Sequence, residues 1–180
     1  MNARPTLRTA RLLLGGFAVD DAAELARLAG AREIADTTLA IPHPYQLQDA
    51  LSWIEWQNSD GATVSVDFAI RLLPRRQLIG SIGLRDIDTH HSQAELGFWI
   101  GKDWWGQGYA REAARAVIQF GFESLNLNRI CAHHMTRNPA SGRVLMAAGM
   151  QREGLLRQRV RKWGIYEDVV LYAVVRDDWK

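Results

Sequence analysis

Trp104-Trp105-Gly106-Gln107-Gly108-Tyr109-Ala110, read WWGQGYA, sets aromatic bulk against two glycines, and the chain then continues as REAARAVIQFGF. A glycine inside a helix costs about 1 kcal/mol relative to alanine. Two of them at the head of a strongly helical run need a reason. Ala110, Ala113, Ala114, Val117, Ile118 and Gly121 recur at three- and four-residue intervals, with Arg111, Glu112, Arg115 and Gln119 on the other side. Gly106 to Tyr109 therefore reads as the turn into an amphipathic helix. The first turn of a helix leaves backbone N–H groups without partners and carries the positive end of the macrodipole, and glycine lets an anion approach that backbone closely. A Gly-x-Gly also simply shapes a tight turn, and the residues alone allow both readings. No third glycine completes a dinucleotide fingerprint, and no Gly-Lys-Ser/Thr completes a P-loop.

Working outward, Thr9 to Gly16 reads as a strand, Val19 to Gly30 as a helix that Asp20 or Asp21 can cap, and Gln46 to Gln57 as a second helix behind the proline-interrupted loop Ile41-Pro42-His43-Pro44-Tyr45. The runs 62–73 and Gln77 to Asp88 form a hairpin through Pro74-Arg75-Arg76, and Ser92 to Gly101 adds a third strand. The helix behind the glycines extends to about Leu125. A strand at 128–135, a helix at 139–149 and two closing strands, Gly154 to Trp163 and Tyr166 to Val175, complete the chain. The order is β-α-α-β-β-β-α-β-α-β-β, a mixed α/β sheet with an antiparallel meander in its first half.

With 180 residues, 47% of them hydrophobic and 23% charged, the chain is expected to form a single domain, 1–180, with its own core. A net charge of +2 gives no general argument for nucleic acid or an anionic membrane. The single cysteine, Cys131, has no disulfide partner in the chain, and MNARPTLRTAR lacks the apolar stretch of a secretory signal, so a cytoplasmic protein is expected. No run reaches the length of a membrane span.

The strand ELGFWI, the turn WWGQGYA with the helix opening REA, and the later NPASGRVLMAAGM resemble the GNAT superfamily of acetyl-CoA-dependent N-acetyltransferases. Within it, the chain looks most like the RimJ/RimL type that acetylates ribosomal-protein N-termini, from TARLLL near the start, through IPHPY, to GIYEDVVLY near the end. The resemblance implies the GNAT fold: a mixed, mostly antiparallel sheet of about seven strands with four helices, splayed between strands 4 and 5. The family's pyrophosphate loop opens on Arg or Gln, followed by two residues, Gly, one residue, and Gly or Ala. Trp105 stands in that first place here, before Gly108 and Ala110. The change removes a polar side chain but leaves the backbone N–H groups of Gly106 to Ala110.

The same resemblance implies a site. Acetyl-CoA, with no metal, would lie against Phe98, Trp99 and Ile100 of the splayed strand and against the loop Trp105, Gly106, Gln107, Gly108, Tyr109 and Ala110; Asn138 and Arg143 are further candidate contacts, Arg143 either meeting a CoA phosphate or staying solvated. The other strand of the splay would be Ile130 to His134, and a strand N–H would polarise the thioester carbonyl. An attacking amine must shed a proton, and Glu95 is the candidate base. Alternation puts Leu96, Phe98 and Ile100 on one face and Glu95, Gly97 and Trp99 on the other, leaving room for a water or an amine beside Gly97. The residues alone equally allow a solvated glutamate paired with an arginine. Asn138 before Pro139 is a good N-cap. Ser141 shares a helical face with Val144, Leu145 and Ala148 and points inward, and the resemblance puts it near the cofactor sulfur as a hydrogen-bond donor.

Neither His90-His91 nor His133-His134 suits a metal, since neighbours on a strand face opposite sides. Cys131 reads as a small packing residue. Trp53, Trp56, Trp99, Trp104 and Trp105 read first as core or contact aromatics, with a substrate tunnel as the alternative. Arg157, Arg159 and Arg161 fall on one strand face, solvated or edge-protecting by default. The expectation is direct acetyl transfer from acetyl-CoA to a primary amine, first a protein N-terminal α-amine. A polyamine or aminoglycoside-like amine is the alternative, with His43 and Tyr45 in the loop that decides. A non-catalytic acyl-CoA-binding sensor and an RNA-binding module are readings from other classes. No membrane partner is expected and nucleic acid is disfavoured, with a monomer or a homodimer equally allowed.

Overall fold

The computed structural model describes residues 5–59 and 64–179. Eight strands form one sheet in the order β1-β2-β3-β4-β5-β6-β8-β7: β1 (Leu7–Arg8), β2 (Leu12–Gly15), β3 (Val66–Leu72), β4 (Gln77–Asp88), β5 (Gln93–Ile100), β6 (Arg129–Met135), β7 (Gln151–Lys162) and β8 (Ile165–Val175). Every neighbouring pair is antiparallel except β5 and β6. Five helices accompany it among the described residues: α1 (Ala22–Ala29), α2 (Arg32–Thr37), α3 (Leu47–Asn58), α4 (Tyr109–Glu123) and α5 (Pro139–Ala147).

Alternation along the strands sorts side chains to two cores. On β3, Phe68 and Ile70 join the larger core under α4, together with Val117 and Ile118, whereas Ala69 joins the smaller core under α1 and α3 with Leu25 and Ile54. The sheet is thus covered on both faces. Asp67, Arg85, Glu95, Gly97 and Trp99 belong to the α1/α3 face, opposite the apolar Leu84, Leu96 and Ile100.

Several expected elements are corrected. The strand expected over Thr9 to Gly16 is two short strands, because Thr9 and Leu12 close a turn between them: the Thr9 N–H donates to the Leu12 carbonyl and the Leu12 N–H to the Thr9 hydroxyl, each at 3.0 Å. Eight strands therefore replace seven. The fifth helix, α2, is six residues long, too short to reveal a period. Ala62 and Thr63, the expected start of the second strand, lie outside the described residues. His90 and His91 stand in the turn after β4 instead of on a strand, where Asp88 accepts both backbone N–H groups and the two rings touch at 4.6 Å. In β7 the ladder shifts between Leu156 and Val160, with Gln158 at φ +49°. This bulge breaks the alternation that would have put Arg157, Arg159 and Arg161 on one face.

Candidate active site

Gly106 and Gly108 have φ of +75° and +81°, and Gly108 is the residue that enters α4. These are left-handed conformations that side chains rarely tolerate, which accounts for both glycines. A Cβ at Gly106 would meet nothing within 4 Å, so the loop backbone is open to an approaching ligand. The loop is braced from behind by Arg11. Its Nη1 donates to the Gln107 carbonyl at 3.0 Å, its Nε meets Glu112 Oε2 at 2.7 Å, and its guanidinium lies 4.5 Å from the Tyr109 ring centroid. Glu112 also accepts the Thr9 hydroxyl and the Arg11 N–H. Burial alone would raise its carboxyl, yet these bonds and the Arg11 charge together hold it below its ordinary 4.5. Trp105 donates its indole N–H to the Ile100 carbonyl at 2.5 Å, tying the loop to the end of β5.

Beside this loop the parallel ladder ends. β5 and β6 pair at Gln93/Arg129, Ala94/Ile130 and Glu95/Cys131 and no further, so Phe98, Trp99 and Ile100 have no partner on β6. The opening is a groove of about 640 Å³. Phe98 to Ile100, Trp105 to Ala110, Asn138 and Arg143, the residues expected against the cofactor, all line it. Trp104, Ser141 and Thr37 contribute as well. Asn138 caps α5, accepting the Ser141 N–H at 3.4 Å, and its amide donates to Ser141 Oγ at 3.0 Å. Ser141 Oγ is thus held as an acceptor, with its own proton left to donate.

A second cavity of similar volume opens on the α1/α3 face. It meets the groove at Thr37, Thr38, Phe98, Trp99 and Ser141, which line both. Glu95 lies in this second cavity, and its carboxylate Oε1 is 3.2 Å from His133 Nδ1. The arginine paired with Glu95 in register, Arg85, turns away to Asp67, at 3.2 Å from Nη2 to Oδ1. Arg85 also fills the place beside Gly97 that alternation reserved for a water or an amine: a Cβ built there would lie 3.9 Å from its Cζ. Tyr45, Trp53, Trp56 and Trp99 supply aromatic wall. Burial, with the nearby Asp49 charge, pushes the Tyr45 phenol up to about 12, so it stays protonated. His43 is outside the lining, its ring 6.5 Å from that of Trp163. Burial, followed by the Glu95 charge, pushes the Cys131 thiol above its ordinary 9.0, which keeps it from being a thiolate nucleophile at neutral pH. Among the described residues no cluster of three metal-ligating side chains occurs.

Two cavities that share Thr37, Thr38, Phe98, Trp99 and Ser141 can bring a cofactor and an acceptor together from opposite sides of a sheet. The sequence reading missed Arg11, Arg85 and the pairing of His133 with Glu95, since each depends on which strands lie side by side. It also missed α2, whose Thr37 stands at the junction of the cavities.

A family model described as an acetyltransferase (GNAT) domain matches residues 11–151. The uncharacterized N-acetyltransferase p20 of Bacillus licheniformis is 31% identical over 97% of this chain and 98% of its own length. The ribosomal-protein-serine acetyltransferase of Escherichia coli is 29% identical over 73% of this chain and 80% of its own. The solved spermidine N-acetyltransferase of Vibrio cholerae, in complex with CoA and spermine, superposes with a TM-score of 0.82 at 23% identity, covering 95% of this chain and 99% of that one. At that identity the likeness speaks for the fold.

Proposed function

The chain belongs to the GNAT acetyltransferase family and is an acetyl-CoA-dependent N-acetyltransferase, and from that premise we propose that the amine it acetylates is the N-terminal α-amine of a polypeptide. The observation that carries the site assignment is the meeting of the groove at the head of α4 with the Glu95 cavity, at Ser141. The groove suits the cofactor: its open glycine backbone at a helix N-terminus takes phosphate, and the unpaired length of β5 takes an amide-bearing arm. When bound, acetyl-CoA supplies the acetyl group as a thioester.

The protein's own residues then have distinct tasks. The backbone N–H groups of Phe98 and Ile100, which alternate with the β4-facing Trp99 and Gly101 and lie past the end of the β6 ladder, are available to a carbonyl oxygen as it gains charge. Glu95, with His133 beside it, takes the proton of the attacking amine. Ser141, oriented by Asn138, donates to the departing sulfur. The protonated Cys131 favours direct attack over an acyl-cysteine route.

An α-amine has a reference pKa of about 8, against about 10.4 for a lysine-type amine, so it asks less of the half-buried Glu95 carboxylate. The relative named for ribosomal-protein serine supports the same choice. A polyamine is the second reading, favoured by the carboxylates of Asp67, Asp86 and Glu95 around the acceptor cavity. Rates with a short peptide bearing a free N-terminus, the same peptide N-blocked with a lysine retained, and spermidine decide between them. A higher kcat/KM for the free α-amine is expected; a higher value for spermidine would transfer the assignment to polyamines.

A further inference from the structure

Across three strands the acceptor cavity has a floor with no side chains in its middle. Asp67 of β3 is in register with Gly83 of β4, and Gly83 with Gly97 of β5. The two glycines make a trough. Asp67 lies over the first: a Cβ at Gly83 would come within 2.5 Å of its Oδ1. Arg85 reaches back into the same trough over Gly97. Asp67 is 2% exposed and receives the Gln57 amide at 2.7 Å as well as Arg85 Nε and Nη2 at 3.4 and 3.2 Å. Arg85, by contrast, keeps 42% of its side chain exposed, facing the cavity it lines.

The arrangement is more than charge neutralisation of a buried aspartate. Arg85 spends Nε and one hydrogen of Nη2 on one oxygen of Asp67, and among the described residues its Nη1 has no partner, which leaves the second Nη2 hydrogen and Nη1 as a fork for a planar anion. It is the one lysine or arginine among the described residues that line this cavity. A surface arginine would sway, but a buried carboxylate fixes this one. Glu95 stands two residues from Gly97 along β5, a backbone separation of about 7 Å. One molecule with an amine and a carboxylate two to four bonds apart spans that distance with a hydrogen bond at each end.

We propose that the acceptor pocket selects amines that carry a carboxylate two to four bonds from the reacting nitrogen, with Arg85 holding the carboxylate while Glu95 faces the amine. This rests on the transferase reading of the same cavity. The carboxylate can belong to a free α-amino acid or to an aspartate or glutamate at the head of a polypeptide, and the chemistry at Arg85 is the same. Asp86, on the exposed bulge of β4 at the rim, opposes anions that approach without an ammonium group.

The test compares alanine, aspartyl-alaninamide, alanyl-alaninamide and spermidine, both as acceptors and by calorimetric binding to the CoA-loaded protein. Arg85→Gln alone strands Asp67 in the interior, so the informative variant is Asp67→Asn/Arg85→Gln, which removes both charges at nearly constant shape. Circular dichroism establishes that it folds, and Arg85→Lys keeps the charge without the fork. In the native protein, alanine or aspartyl-alaninamide should exceed alanyl-alaninamide by roughly tenfold or more in kcat/KM. The one that does so names the source of the carboxylate. That ratio should fall to near one in the double variant and be intermediate in Arg85→Lys. A native preference for alanyl-alaninamide or spermidine, or a carboxylate preference that survives in the double variant, overturns the proposal. If none of the four is acetylated, the assignment of a polypeptide α-amine as acceptor fails by itself. Binding that still depends on the carboxylate and on Arg85 would uphold this inference, and binding indifferent to the carboxylate would end it.

Discussion

Arg11 lies outside the cofactor groove yet braces the loop that forms it, so Arg11→Ala should weaken acetyl-CoA binding without removing any direct contact. The pair with Glu112 is 2.7 Å long, but Arg11 is 45% exposed, and solvent screening reduces such a pair to about 0.5 kcal/mol. The bond to the Gln107 carbonyl, a charged donor to a loop acceptor, contributes about 1.5 kcal/mol at the low end of its range. Stacking on Tyr109 adds a similar exposed-site contribution of about 0.5 kcal/mol. The loop conformer with Gly106 and Gly108 in place therefore loses roughly 2.5 kcal/mol of support. When a binding-competent state is depopulated, the apparent Kd rises by the same factor, here up to about sixtyfold. Isothermal titration with acetyl-CoA measures the change, and Arg11→Lys should recover part of it. An unchanged Kd in an Arg11→Ala protein whose thermal midpoint has fallen would refute the reasoning, since the brace would then support the fold and not the ligand-binding loop.

Two further outcomes follow from the same geometry. Glu95→Gln should lower kcat by about a hundredfold or more, and the residual rate should climb with pH toward the amine pKa of about 8, where free amine needs no base; an unaltered pH profile would remove Glu95 from proton transfer. Glu112 has its folded-state pKa held below 4.5, so its stabilising contribution is present above that value and is lost as pH falls through the lowered folded pKa. Thermal midpoints of Glu112→Gln between pH 3 and 7 should show a lower plateau near neutrality and a shallower acid decline than the native protein, and parallel curves would mean that Glu112 does not contribute to acid sensitivity.

What the sequence could reveal is local. WWGQGYA declares itself because a left-handed backbone before a helix demands glycine, and φ of +75° and +81° are what those two residues permit. Glu95 and Trp99 fall on one face because strand alternation is strict, and Asn138 before Pro139 is a cap by its chemistry alone. Nothing in the chain says that Arg85 will prefer Asp67 on β3 to Glu95 on β5, since both are neighbours only after the strands pair. In sequence His133 reads only as half of a poor metal pair; its relation to Glu95 arises across the splay, where parallel pairing stops at Cys131. Arg157, Arg159 and Arg161 misled for the opposite reason. Alternation is trustworthy only until a bulge, and Gln158 gives no compositional sign of its positive φ. α2 is short enough that its stability comes from tertiary ties: Lys102 to Glu33, and Arg137 to Asp36 at 2.5 Å.

The most direct measurement is thermal unfolding with and without acetyl-CoA, in the native protein and in Gly108→Val. At about 100 times its Kd the ligand should stabilise the native protein by roughly 2.7 kcal/mol, a rise in midpoint of about 5–10 °C for a chain of this size. A β-branched residue at φ +81° strains the entry to α4, so most of that rise should vanish in the variant. No shift in a folded native protein, or an equal shift in both proteins, would contradict the placement of the cofactor at the head of α4.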